Sequence, residues 1–307
     1  MWLLAAGYLA GRYQIPRPGQ SRLLGLQPTV TSLAFLSPPE KELKTTMNLS
    51  LYDKLHMRHR FWRYRRRSEV SEIRYVLGSK LEGKILLDIG ANKGIYSYYL
   101  SLKAGPHGKV YAFEAQPELG EHLQSVKDSF KLENLHIINK GLSSKPGMMK
   151  MGRAKVGDGM AGFHYKPGEQ VEEIDVPVIT LDEFFSDETK ETIDFIKCDV
   201  EAHEYEVLKG GETILKRDSP NLLLECNEMT AGEGKIFDYL EGLGYEGFFY
   251  FVQPEDRARY RYRDRGYYVR HTEFANPEYN RPGVQHPNYI FTKDPDEIQK
   301  LLEFRGA

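Results

Sequence analysis

From Lys84 to Thr292 the chain repeats one alternation, a short apolar run followed by a stretch with helical patterning. Lys84–Ile89 (KILLDI) is dominated by consecutive apolar residues, as a strand buried on both faces requires. Lys109–Glu114, Leu135–Asn139, Asp194–Asp199, Asn221–Glu225, Gly247–Val252 and Asn288–Thr292 continue the series. Helical patterns fill most of the intervals, at Tyr96–Lys103, Leu119–Phe130, Glu204–Lys216 and Lys235–Leu243. This order predicts an α/β fold built on a parallel sheet with helices on both faces. The Gly-rich stretch Met148–Val178 breaks the rhythm and predicts a hairpin insertion, followed by a short helix at Leu181–Phe185.

Composition removes several classes. Lys plus Arg is 42 against 44 for Asp plus Glu, so a chain that is basic throughout, as a general nucleic-acid binder is, is excluded. No apolar run approaches the roughly 20 residues of a membrane span, which excludes a polytopic membrane protein. Two cysteines, Cys198 and Cys226, make neither a disulfide framework nor a zinc-ligand spacing. Residues 1–45 read as an N-terminal tail or targeting segment: no acid precedes Glu40, Arg12, Arg17 and Arg22 are present, and the apolar stretch Met1–Ala10 ends at Gly11–Arg12. A cytoplasmic location is expected, with organelle targeting, membrane anchoring or peripheral membrane contact through this segment as alternatives. Residues 46–80 form a basic helical lead-in. Within it, Lys54–Arg67 interleaves basic residues with Leu55, Met57, Phe61, Trp62 and Tyr64. A helix with aromatic residues inward and arginines in water is the favoured reading; a contact for an anionic partner is the other.

The residues Asp88–Gly94 (DIGANKG) stand where the first strand turns into a helix. Glycines there let the backbone turn tightly beside a ligand, and open α/β sheets bind ligands at the carboxyl ends of their strands. The spacing is G-x-x-x-G rather than the dinucleotide G-x-G-x-x-G. Asp88 at the strand end would repel a pyrophosphate and attract a ligand carrying an ammonium and a sulfonium, such as S-adenosylmethionine. Glu114, ending the second strand, suits the two hydroxyls of a ribose. Asn139–Ser143 ends the third strand and is the candidate adenine contact. The structural alternatives are a helix cap for Asp88, a surface acid for Glu114 and an ordinary turn for Asn139–Ser143.

The segments DIGANKG, FEAQP, NKGLSS, TLDEFF, IDFIKCDVEAHEYEVLKGG and LLLECNE, in this order between about Ile85 and Glu228, resemble the FkbM family of S-adenosylmethionine-dependent methyltransferases. One departure is Ala202, where the family usually has glycine after D-V-E. The resemblance implies a class I methyltransferase, Rossmann-like fold: a seven-stranded sheet in the order 3-2-1-4-5-7-6, the last strand antiparallel. It implies a methyltransferase domain over residues 81–307. It also implies methyl transfer, commonly to a hydroxyl oxygen, with a small molecule, glycan or lipid as acceptor. A nucleic-acid methyltransferase and a cofactor-binding module without catalysis are the alternatives. The first is disfavoured because Asp199-Val200-Glu201-Ala202 replaces the D/N-P-P-Y/F expected for base-amino methylation.

Methyl transfer to an alcohol needs in-line alignment and benefits from a general base. The catalytic candidates are Asp199 and His203, after the fourth strand, and Glu228, past the fifth. The cofactor candidates are Asp88, Gly90, Asn92, Gly94, Glu114, Ser143 and Asp199. Glu201 and Glu204 suit the first turn of a helix; with Asp199 they are also the place for a divalent metal, a weaker reading, and none is expected. The run Arg259–Arg265 (RYRYRDR) suits either anion or sugar recognition or a solvated edge.

Overall fold

The computed structural model describes residues 49–165, 171–186, 191–226, 234–253, 265–279 and 288–305. The N-terminal tail, Glu228 and residues 254–264, which hold most of the Arg/Tyr run, lie outside the described residues.

The chain enters through α1 (Leu51–Arg63), one π-helical turn (Tyr64–Ser68) and α2 (Val70–Gly78). Ser50 caps α1 by accepting from the Asp53 N–H at 3.1 Å, which satisfies one of the orphan donors of the first turn. There follow β1 (Ile85–Ile89), α3 (Ile95–Ala104), β2 (Lys109–Phe113), α4 (Pro117–Phe130) and β3 (Leu135–Ile138). The insertion is β4 (Gly141–Leu142), β5 (Gly147–Arg153) and β6 (Glu172–Ile179). After α5 (Leu181–Phe184) the chain alternates again through β7 (Phe195–Cys198), α6 (Glu204–Lys209), α7 (Glu212–Arg217), β8 (Asn221–Glu225), α8 (Gly234–Gly242) and β9 (Glu246–Phe251). It ends with β10 (Tyr267–Arg270), β11 (Asn288–Thr292) and α9 (Pro295–Glu303).

The main sheet has eight strands in the order β10-β9-β11-β8-β7-β1-β2-β3. Strands β3, β2, β1, β7 and β8 pair in parallel, and β11 runs antiparallel between β8 and β9. Without β10 this is the expected order 3-2-1-4-5-7-6 with its last strand antiparallel. The eighth strand corrects the expected count. Tyr267–Arg270 is four residues long and ends in a charge, too short and too polar to stand out, and it forms by pairing with β9 from Tyr267↔Phe251 to Arg270↔Phe248.

Side chains alternate across the sheet. Leu86, Val110, Leu135 and Phe195 join a core with Phe61, Ile73, Val76, Leu100 and Val126, from α1 to α4. Leu87, Ile89, Phe113 and Ile196 join the opposite core with Leu181, Leu208, Leu215 and Leu240, from α5 to α8. The insertion is a second sheet in the order β4-β6-β5, with β5 and β6 an antiparallel hairpin registered from Gly147↔Val178 to Arg153↔Glu172. No helix among the described residues is long and apolar enough to cross a membrane.

Candidate active site

Asp88 and Lys197 are directly opposite each other in the β1–β7 register, on the same face as Leu86 and Phe195. Both are buried. Asp88 Oδ2 accepts from Ser97 Oγ at 2.5 Å, and its Oδ1 lies 3.9 Å from Lys197 Nζ. Burial pushes the Asp88 carboxyl up, while Lys197 and Ser97 pull it down. Lys197 Nζ reaches Asp199 Oδ2 at 3.1 Å and the Gly90 carbonyl at 3.5 Å, and sits 5.0 Å from the centre of the Tyr96 ring. This pair holds the Gly90 turn from beneath.

Gly90 has φ +74°, and a Cβ there would lie 1.9 Å from the Asp199 carbonyl oxygen. The requirement for glycine comes from the β7 backbone as much as from any ligand. Gly94 also has positive φ, but a Cβ there would meet Leu123 Cδ2 at 2.9 Å. Its glycine lets α3 pack on α4.

Glu114 follows β2 and is 6% exposed. Its Oε2 accepts from the Asn92 N–H at 2.8 Å and its Oε1 from the Gln116 N–H at 2.9 Å. The carboxylate thereby clamps the first two loops together. Each oxygen keeps acceptor capacity for a hydroxyl. The Asn139 side chain donates to the Glu114 and Gln116 carbonyls at 2.7 and 3.1 Å. It fixes the third loop to the second, leaving Lys140, Gly141 and Leu142 to face the cleft.

The cleft at these strand ends, with the open space at its mouth, has a volume of about 510 Å³. Gly90, Asn92, Glu114, Asp199 and Glu201 line it together with Asp158, Gly159, Ala161 and Phe163 of the insertion. Asp88, Gly94, Ser143 and His203 are not in its walls. The insertion is tied over the cleft by Gln116, whose Nε2 donates to the Asp158 carbonyl at 3.0 Å and whose Oε1 accepts from the Gly157 N–H at 3.2 Å. The sequence showed the insertion as a break in rhythm but gave no sign that it walls the site.

Acids crowd the ends of β7 and β8. Asp199 touches Lys197, and Glu225 is raised to about 8 by desolvation and then by the charge of Asp199. Glu201 is raised to about 7, by burial first and the Asp199 charge next. Glu204 is buried and spends one oxygen on the Val200 N–H at 2.8 Å. Glu201 and Ala202 both adopt left-handed backbone, at φ 54° and 70°. Ala202 thus keeps the turn that glycine would make without strain.

His203 is buried, 3% exposed, rather than open to the cleft. Its Nε2 is 3.0 Å from Ser143 Oγ, its Nδ1 is 3.4 Å from His164 Nε2, and its ring packs on Phe163 with centroids 4.7 Å apart. Burial and the neighbouring His164 lower it to about 4. Ser143 and His203 therefore form a joint between the third loop, α6 and the insertion. Of the expected site residues, His203 and Ser143 are thus joined to each other and do not line the cleft. In the sequence Glu201 reads as a helix-turn acid and Glu225 as a strand end, and only the fold sets them beside Asp199. Lys197, a lone cation in FIKC, is the readable signal of a buried ion pair.

The donor set fits S-adenosylmethionine. Of the charged residues in the described cleft wall, Glu114, Asp158, Asp199 and Glu201 are acids and Lys140 is the one base. Such a wall favours a cation and opposes a pyrophosphate. Glu114 offers two oxygens to vicinal hydroxyls. The fold and this cleft define a class I methyltransferase domain with S-adenosylmethionine as its cofactor.

Residues 88–246 match the methyltransferase FkbM domain, and the chain belongs to this family. A hexuronic acid methyltransferase, AglP, of Haloferax volcanii is 31% identical over 156 residues, which make up 50% of this chain and 62% of that protein. The chain thus spans less than two thirds of the length of this curated relative. Among solved structures, a methyltransferase FkbM from Methylobacillus flagellatus KT aligns over 80% of this chain and 56% of its own, at 12% identity and a TM-score of 0.42. An O-methyltransferase from Bacillus cereus in complex with SAH aligns over 73% of this chain and 80% of its own, at 12% identity and a TM-score of 0.41.

Proposed function

We propose that this protein methylates a hydroxyl oxygen of a glycan, with an acidic sugar as the acceptor unit. The observation that carries methyl transfer to a hydroxyl is the pair of acids Asp199 and Glu201, which line the cleft together with Glu114. Bound S-adenosylmethionine supplies an electrophilic methyl on a sulfonium. Glu114 holds the ribose hydroxyls. Lys197 holds Asp199 in place beside the cleft through a 3.1 Å ion pair. Glu201 lines the cleft with a carboxyl that titrates near neutrality, so it accepts the acceptor hydroxyl's proton at Oε1 or Oε2. The insertion loop, held down by Gln116, excludes water from this exchange.

An acidic sugar is supported by the cations beside this acid-rich wall. Lys140 lines the cleft. Lys93, next to Asn92, is lowered by burial and by the nearby charges of Arg60 and Lys155. Arg60 and Lys155 both act on Lys93, which stands beside the cleft-lining Asn92, and positive charge there suits an anion. The AglP likeness points the same way.

The test is transfer of an isotopically labelled methyl to glycans that carry uronic acids, run beside the same glycans with the uronates reduced to alcohols. Label on a ring oxygen of the uronate, with at least tenfold less on the reduced glycan, is expected. Equal labelling of both would remove the acidic-sugar part. Label on neither, in a protein that binds S-adenosylmethionine, would overturn the glycan reading.

A further inference from the structure

Helix α1 has two apolar faces. Met57 and Phe61 are buried in the core, and Phe61 stacks on Tyr98 with centroids 4.0 Å apart. At about 100° per residue, Leu51, Leu55 and Trp62 fall on the opposite side, with Tyr52 and His59 at its edge. Leu51 and Tyr52 are each 76% exposed, Leu55 is 57% and Trp62 is 45% exposed. This corrects the expectation that the aromatic residues of the segment all turn inward.

The same segment is strongly charged. Leu51–Arg67 holds seven lysines and arginines against the single acid Asp53, in a chain whose net charge is -2. Arg67 lies over the Trp62 ring at 5.4 Å, so cation and aromatic face out together. Arg65 and Arg66, with Arg74, Val70 and Leu77, line an open groove of about 750 Å³ just beyond.

We propose that the outer face of α1 and the basic turn after it dock on an anionic phospholipid bilayer. Leucines and a tryptophan on one stripe enter the headgroup boundary, while flanking arginines meet lipid phosphates, which is the pattern of an interfacial helix. Aliphatic Leu51 and Leu55 add nothing to the phosphate and base contacts by which RNA is held. A second copy of the chain would bring seven cations against seven. The chain's own first 39 residues carry arginines and no acid, so they offer this basic face no complementary charge.

The test uses the full-length protein in cosedimentation with vesicles of phosphatidylcholine, alone or mixed with phosphatidylglycerol. At least tenfold tighter binding to the mixed vesicles is expected, weakened by salt. The double variant Leu55→Glu/Trp62→Glu should lose at least tenfold of that binding with its S-adenosylmethionine affinity unchanged. In a Trp2→Phe background, Trp62 emission should shift to the blue on vesicles. Four results would each overturn the proposal. They are equal binding to both vesicle types, anionic binding retained in the double variant, a dimer that the double variant dissociates, and tighter binding to single-stranded RNA than to vesicles.

Discussion

On the β1–β2 side of the cleft, the Glu114 carboxylate receives two backbone N–H groups, and Asp88 is locked against Ser97 and Lys197. On the β7–β8 side, Asp199 and Glu201 line the cleft, Asp199 pairs with Lys197, and the Asp199 charge adds to burial in raising Glu201. The side-chain chemistry is the same and the consequences differ. Carboxylates held by fixed donors are rigid, which suits holding a ligand in one pose. Glu201, raised to about 7 by burial and the Asp199 charge, suits proton exchange near neutral pH. The first wall is built for geometry and the second for titration.

The contrast breaks most severely where the walls touch. Gly90→Ala sets a Cβ against the Asp199 carbonyl at a left-handed residue. The variant should lose about 3 kcal/mol or more of stability, seen in thermal denaturation as a Tm lower by roughly 10 °C. An unchanged Tm would mean that the two walls are not packed as described.

Removing the geometric wall's central carboxylate comes next. Glu114→Ala should weaken S-adenosylmethionine binding by about 1.5–3 kcal/mol, a tenfold to hundredfold rise in Kd. Calorimetric titration reads it directly. Glu114→Gln keeps the volume and one carbonyl acceptor and should fall between the two. Wild-type affinity in the alanine variant would remove the ribose role.

Titration of the second wall gives a sign as well as a size. The Glu201 carboxyl titrates at about 7, so its basic form appears as pH rises through that value, and turnover should climb over the same interval. Glu201→Gln should lower kcat while leaving cofactor Kd within twofold, and should flatten that limb of the profile. Linkage runs the other way for folding. A carboxyl raised in the folded state contributes its full stability below the unfolded pKa and loses it as pH climbs through the folded one. Wild type should therefore lose stability between about pH 4.5 and 7 relative to Glu201→Gln, which lacks this titration. Parallel profiles for both proteins would exclude Glu201 as the group that titrates.

What the sequence made legible divides along the same line. The buried strand KILLDI, the glycine turn and Glu114 sit in local patterns whose geometry follows from strand and turn chemistry. The sheet order came with the family resemblance. Asp88 is legible as important from its place at the strand end, but its pairing with Lys197 is not. The strand period puts it with Leu86, and the β1–β7 register then sets it opposite Lys197. The burial of His203 depends on Phe163 and His164, some forty positions earlier and carried by the insertion. No local pattern announces such a contact. The crowding of Glu225 on Asp199 likewise arises only when β7 and β8 lie side by side. β10 is a strand because β9 offers it an edge, not because YYVR is a strand sequence.

The smallest effect concerns the turn that carries the second wall. Ala202 stands at φ 70° directly after Glu201 at φ 54°, two left-handed non-glycine residues in succession. Each costs roughly 1–2 kcal/mol relative to right-handed backbone. Ala202→Gly relieves one of these costs but adds freedom to the unfolded chain worth about 0.4–1 kcal/mol. A net gain of about 0.5–1 kcal/mol is expected, read as a Tm higher by roughly 2 °C. If the strain serves to hold Glu201 in the cleft wall, the same variant should gain stability and lose turnover, with the loss in kcat rather than in cofactor Kd. A variant that gains stability with kcat unchanged would show that Glu201 is placed by its own contacts. Strain at residue 202 would then be a tolerated departure from the family's glycine rather than part of the site.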